Sequence, residues 1–456
     1  MNAAQLFNLI SCQKARYLHS QGATPRLQKR SEPFVPPNVL RAVYAWFYDG
    51  FLHPLSRKEI VVGELTAHID RLVSGKKGLE LSKIIFASGP YSAAIKELAL
   101  SVWVLRKRFI TTNKIFIYYI NKDYVKNGAL DFDKLFIKRD VTRSVYSRYF
   151  RIEPPNKLIE KNAKAAKKVL CDYDLTCQYS RLCFPRLFEY SVLNVARLDR
   201  ELKINLIKQG IADPQEIPKN LLTDYQAIQI KCDKTKRAHI DTNAIKDFLG
   251  KIEYPIYFLD FEAIGYPVPI FDRTKPFEVT PFQFSLHILN APNSRAKRYE
   301  FLADHETDGR SQIAQKLCDL IGETGSVVAY GAAFEKSVIK GLAKLFADRR
   351  KKLLSIQSRI VDLMIPFERR WFYSAKMRGQ CALKAVAPVI DSKMIYDGAI
   401  KSGLEAMENY FAMYSANAEK REDIRRALLD YCKKDTQFLT GIYRKLLTLT
   451  KPKEEI

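Results

Sequence analysis

The chain has 456 residues, of which 47% are hydrophobic and 27% charged, the balance of a globular protein long enough for two cores. Its formal net charge of +25 favours polyanionic partners, nucleic acid first, although a generally basic surface tuned for solubility explains the same excess. No apolar run approaches the roughly 20 residues of a membrane span, and the start, Met1-Asn2-Ala3-Ala4-Gln5-Leu6-Phe7, lacks the features of a secretory signal, so a cytoplasmic protein without membrane association is expected.

In chain order, a proline-rich break at 30–40 follows a short N-terminal helix. Residues from there to about 150 mix helical patterns with strand-like runs such as Lys114–Ile120, as in one α/β domain. Residues 155–185 are basic and then carry cysteines, and 186–250 read as a helical connector. A β-rich start at Tyr254–Asp260 opens a second domain, so the expected division is 1–185, 186–250 and 251–456.

Cys171, Cys177 and Cys183 recur with five residues between each pair, and Cys12 lies far upstream. In a reducing compartment such a cluster points to thiolate ligation of an iron–sulfur cluster or of Zn²⁺. Cys232, Cys318, Cys381 and Cys432 show no grouping and are expected to pack.

The segment Tyr257-Phe258-Leu259-Asp260-Phe261-Glu262 is an apolar strand carrying two carboxylates one residue apart, hence on one face. Adjacent like charges are costly unless a cation neutralises them, which points to a hard divalent metal; two solvated acids on an exposed edge strand are the plainer explanation. A second apolar segment, Gly325–Lys336, brings Glu335 to a strand-to-helix turn. Near the end of the chain, Tyr431 and Asp435 are four apart on a helical pattern, hence on one face.

Taken together and in this order, these segments resemble the proofreading-type exonucleases of the ribonuclease-H-like class, whose motifs carry four acids and a tyrosine. Asp260 and Glu262 match the first motif, and Tyr431 and Asp435 the third. In the second, Gly331 stands where the family has Asn and Glu335 where it has Asp, with Asp362 a competing acid expected to support structure instead. The resemblance implies a mixed sheet flanked by helices and 3′→5′ exonuclease activity on single-stranded DNA or RNA. It also implies two Mg²⁺ or Mn²⁺ ions held by Asp260, Glu262, Glu335 and Asp435, with Tyr431 orienting the attacking water. A helicase or another subunit is a candidate for delivering the strand.

The phrases Tyr257–Glu262, Pro281–His287, Tyr330–Lys336 and Asp391 onward also resemble, over nearly the whole chain, an uncharacterised bacterial family, domain of unknown function 2779. That family joins the exonuclease fold to an N-terminal nuclease-like module. Gln283 and Phe284 would then lie on the strand beside the acids, with sheet packing the alternative for Phe284.

One early and three late cysteines resemble the iron–sulfur nucleases of the CRISPR-adaptation and recombination type. The resemblance implies a [4Fe–4S] cluster on Cys12, Cys171, Cys177 and Cys183, with Zn²⁺ the alternative. Their restriction-endonuclease-like fold needs an Asp and then Glu-x-Lys. Asp70 and Glu80 match, Ser82 occupies the Lys position, Ser101 lies near the place of a missing Gln, and Lys83 is expected on the opposite face. The N-terminal module is therefore expected to be a degenerate nucleic-acid-binding relic, with Tyr118, Tyr119 and Tyr124 either stacking bases or packing. A catalytically silent binding protein and an endonuclease centred on Asp70 and Glu80 are the competing functions.

Overall fold

The computed structural model describes residues 34–50, 52–152 and 189–451, with the isolated positions 2, 3, 6 and 187. Cys12, Cys171, Cys177 and Cys183 lie outside these residues. Contacts divide the chain into two units, 1–185 with 266–278, and 186–265 with 279–456. The stretch 186–250 thus packs within the second unit.

In the first unit, helix α1 (Pro37–Phe47) precedes strands β1 (Lys58–Val62), β2 (Leu65–Ile69), β3 (Arg71–Gly75) and β4 (Gly78–Ile85). Helix α2 (Ser92–Lys107), β5 (Thr112–Ile120), β6 (Phe136–Asp140) and α3 (Thr142–Tyr149) complete it. A four-stranded sheet runs β3-β4-β5-β6, with β4 and β5 parallel and the outer pairs antiparallel. Alternation along β4 sends Leu81 and Ile85 into the core beneath α2, and Ile84 into the opposite cluster with Trp46 and Phe136. Tyr118 and Tyr124 pack in that second cluster and Tyr119 against the first, so all three tyrosines are packing residues here.

The second unit opens with α4 (Arg200–Lys208), α5 (Asp224–Thr235), the short strand β7 (His239–Ile240) and α6 (Thr242–Leu249). Then come β8 (Ile256–Gly265), β9 (Val279–Leu289), β10 (Lys297–Leu302), α7 (Arg310–Leu320), β11 (Ser326–Ala329), α8 (Ala333–Leu345), α9 (Arg350–Ser358) and β12 (Ile360–Asp362). The short strand β13 (Phe372–Tyr373), α10 (Leu383–Ile390), α11 (Gly403–Ala412) and α12 (Ala418–Leu449) complete it.

Its main sheet runs β10-β9-β8-β11-β12, antiparallel on the β9 side and parallel on the β11 side, the mixed sheet flanked by helices that was expected. The protein is of the α/β class. Strand β8 is the middle strand of five, buried on both faces: Tyr257, Leu259 and Phe261 pack with α7, α8 and α9, while Ile256 and Phe258 pack with α6 and α12. The edge-strand explanation for Asp260 and Glu262 is thereby removed.

Helix α12 has 32 residues, about 48 Å at ~1.5 Å per residue. Asn417 caps it by accepting from the Lys420 N–H, and no proline interrupts it. No helix among the described residues is long and apolar enough to cross a membrane.

Candidate metal centre

Asp260 and Glu262 project from β8 toward α12, as period-two alternation requires. Opposite them on β9 stand Ser285 and Gln283, and a bulge immediately after Glu262 shifts the register by one residue. Gln283 is fully buried, and its Nε2 donates to the Leu428 carbonyl of α12 at 2.8 Å, which fastens the helix to the strand beside the acids. Phe284, one step along, packs in the opposite core.

Asp435 comes from the middle of α12. Asp260, Glu262 and Asp435 each offer a carboxylate oxygen, all within 4.8 Å of one another. Burial raises all three, and at Asp260 the rise is reinforced by the charges of Asp435, Glu262 and Glu335. Burial and then the charge of Asp435 push Glu262 up to about 8. Asp435, raised by burial and held back by its hydrogen bond from Tyr396, reaches about 7.

Glu335 lies in the first turn of α8, 3% exposed, with burial the main cause of a rise to about 7. It stands outside the three-carboxylate cluster, near enough for its charge to act on Asp260 and Glu262, and its Oε2 has no hydrogen-bond partner. A buried carboxylate oxygen without a partner is expensive, and a cation beside it removes the cost. Asp260, Glu262 and Asp435 converge with Glu335 nearby, and carboxylate oxygens are the ligand type that a hard divalent cation takes.

Asp362, the competing acid, ends β12 and accepts from the backbone N–H groups of Gly331, Ala332 and Met364 at 2.8, 3.0 and 2.9 Å. It therefore holds the turn that launches α8 and so aims Glu335. Gly331 has φ +72°, a conformation that suits glycine at the crossing from β11.

Tyr431 is 6% exposed on the acid face of α12, one turn before Asp435, and burial raises its hydroxyl well above the usual range. Three participants escaped the sequence reading. Tyr396 donates its hydroxyl to Asp435 Oδ1, and its ring lies 5.7 Å from that of Tyr431. Lys384 of α10 places Nζ 5.2 Å from the Tyr396 ring and 5.6 Å from the Tyr431 ring, and its charge favours the ionised forms of Glu262 and Asp435. Cys432, expected to pack, is buried and also donates its thiol to Asp260 Oδ2 at 3.5 Å. Tyr396 and Lys384 lie in segments without motif spacing, and Cys432 could have been found from its place one residue after Tyr431.

Behind Asp435, Thr436 Oγ1 contacts Ser285 Oγ at 2.7 Å and His287 Nδ1 at 2.8 Å. Burial lowers His287 to about 4, so the ring is neutral at pH 7.

In the first unit the expected pairing is reversed. Lys83 Nζ lies 2.6 Å from Asp70 and 3.3 Å from Glu97, whereas Glu80 faces Lys138 of β6 at 3.8 Å. Alternation along β4 puts Lys83 on the face of Asp70 and Glu80 on the other, so Asp70 and Glu80 form no common site. Ser82 is fully buried, and Ser101 Oγ donates to the His68 and Glu97 carbonyls.

No curated protein and no solved structure matches the chain. Residues 257–382 match a family described as a domain of unknown function, DUF2779, a stretch that holds Asp260, Glu262, Glu335 and Asp362 and ends ahead of Tyr396, Tyr431 and Asp435.

Proposed function

We propose that the second unit is a metal-dependent 3′→5′ exonuclease that hydrolyses single-stranded nucleic acid to nucleoside 5′-monophosphates. The observation that carries this reading is the convergence of Asp260, partly buried, with the buried Glu262 and Asp435 within 4.8 Å, beside an unpartnered oxygen of Glu335. The polarity of digestion follows the resemblance of the ordered motifs.

Asp260, Glu262, Glu335 and Asp435 would hold Mg²⁺ or Mn²⁺. Bound there, such ions would supply neutralisation of the charge that develops at the phosphate. The chain's own groups do the rest. Tyr431 orients the water, Tyr396 fixes the Asp435 carboxylate through Oδ1, and Cys432 steadies Asp260. Lys384 offers a positive charge to the scissile phosphate, and no covalent enzyme intermediate is required.

The test is digestion of 5′-labelled single-stranded DNA and RNA with Mg²⁺ or Mn²⁺ by the wild type and Asp260→Asn. A ladder shortening from the 3′ end, absent in the variant, is expected. Absence of any ladder with either metal favours the binding-protein reading, and cleavage surviving the substitution moves the chemistry elsewhere.

A further inference from the structure

Two hollows lie along the C-terminal turns of α12, beyond the acids. The larger, of about 1000 Å³, is bounded by the end of α6, the turn between β9 and β10, and the last turns of α12. Four cations line it, Lys246, Arg295, Arg444 and Lys451, and no Asp or Glu does. All four are exposed. Among the described residues none of them forms an ion pair, unlike Lys434 on the same helix, which is paired with Asp397 and Asp430. Arg444 Nη2 donates to the Ser294 carbonyl at 2.8 Å, which holds the guanidinium at the wall and uses one of its five N–H donors.

The smaller hollow, of about 540 Å³, shares Arg444 and Thr448 with the first and adds Lys445, Met394 and Gly441. Its single acid, Asp391, already accepts from the Lys393 N–H. Met394 packs over Gly441, where a Cβ would come within 2.2 Å of Met394 Cε. Met394 stands two residues from Tyr396, which bonds Asp435. One wall, α12, thus runs from the acidic cluster to the cationic groove.

Unpaired like charges lining a concave surface repel one another and attract a polyanion. We propose that this groove seats the sugar–phosphate backbone of a single strand whose 3′ end lies among the acids. The placement of that end rests on the exonuclease reading, whereas the occupancy of the groove does not. From Asp435 to Arg444 is about 14 Å of rise and, at ~3.6 residues per turn, about half a turn of rotation, so the strand passes round the helix and needs more than about four nucleotides at roughly 3.4 Å each. Contact is to phosphates and therefore indifferent to sequence.

Binding is measured without metal, in EDTA, by fluorescence anisotropy of 5′-fluorescein oligo(dT) of four and twelve nucleotides at several salt concentrations. The wild type is compared with a variant combining Arg295→Ala, Arg444→Ala and Lys451→Ala, whose exposed positions leave the fold intact, as circular dichroism checks. The expected result is at least tenfold weaker binding of the twelve-mer and a salt slope reduced by about two, from about 0.7 per lost phosphate contact, with a smaller loss for the four-mer, which makes fewer phosphate contacts. Unchanged affinity and slope overturn the proposal, as does equally tight binding of a duplex of the same length or of poly-glutamate. If the binding changes as expected while Asp260→Asn leaves hydrolysis untouched, the groove stands and the exonuclease reading falls. If hydrolysis is lost in Asp260→Asn while the groove variant binds normally, the reverse holds.

Discussion

The Tyr396 hydroxyl donates to Asp435 Oδ1 across 39 residues of chain, from a segment that carries none of the motif residues. The bond fixes the carboxylate's rotation and leaves its second oxygen free of Tyr396, where the proposed cation would bind. Loss of such a supporting bond costs about 10–100-fold in metal affinity. Tyr396→Phe keeps the ring contacts with Tyr431 and Phe438 and is therefore expected to fold normally while needing about 10–100-fold more Mn²⁺ for half-maximal hydrolysis. An unchanged Mn²⁺ dependence would reduce Tyr396 to a packing residue.

The buried acids make the metal-free protein pH-sensitive in an unusual direction. Glu262, Glu335 and Asp435 are raised to about 8, 7 and 7, from ordinary values of 4.5, 4.5 and 3.8. Between those limits the folded state holds protons that the unfolded state has released, so stability falls as pH rises from about 4 to about 8. Thermal melts in EDTA are expected to show a lower Tm at pH 8 than at pH 5.5. Mn²⁺ should restore Tm chiefly at the higher pH, because the cation competes with those protons. A Tm independent of pH and metal would contradict the convergence of these acids.

Glu335→Gln separates stability from activity. Removing a buried charge whose Oε2 has no partner is expected to raise the metal-free Tm at pH 8 while lowering metal-dependent hydrolysis at least about tenfold. A fall in both would mark Glu335 as a residue of the α8 turn alone.

In the first unit, Lys83→Met leaves Asp70 and Glu97 facing each other without their shared cation. Breaking a fully buried pair costs about 3–5 kcal/mol. Lys83 and Asp70 retain 14% and 13% side-chain exposure, so about 1–3 kcal/mol is expected from urea denaturation. Glu80→Gln, which disturbs only the 3.8 Å contact with Lys138, should change stability by no more than about 0.5 kcal/mol. The opposite ranking would restore the pairing of Asp70 with Glu80.

Gly325 has φ +83°, and a Cβ there would lie 2.0 Å from the Pro255 carbonyl oxygen. Gly325→Ala therefore combines an unfavourable backbone conformation with a clash against backbone that cannot turn aside, at a cost of about 3 kcal/mol or more. A unit 2 melting transition unmoved by this change would show that β8 and β11 can separate there.

The strand of Asp260 and Glu262 was legible because alternation and an apolar run are local signals, and the helix of Asp435 because its spacing is helical. The middle position of β8 was not legible, since strand order depends on pairings with β9 and β11 far along the chain. The role of Asp362 became specific only with the turn it caps. Tyr396 and Lys384 carry no periodic signature, and their place beside the acids follows from the packing of α10 and the segment after it against α12. In the first unit, Lys83 and Glu80 lie on opposite faces of β4 as expected, but Asp70 joins Lys83 and not Glu80, because the face that Asp70 meets depends on the pairing of β3 with β4.

The thiol of Cys432 meets Asp260 across 172 residues. During synthesis the central strand is therefore made long before the helix that completes its donor set. Until α12 docks, Asp260 and Glu262 lack both Asp435 and the thiol donor, and a chain cut ahead of Ala418 would retain the strand without an assembled site. The three-carboxylate cluster thus depends on the docking of one helix.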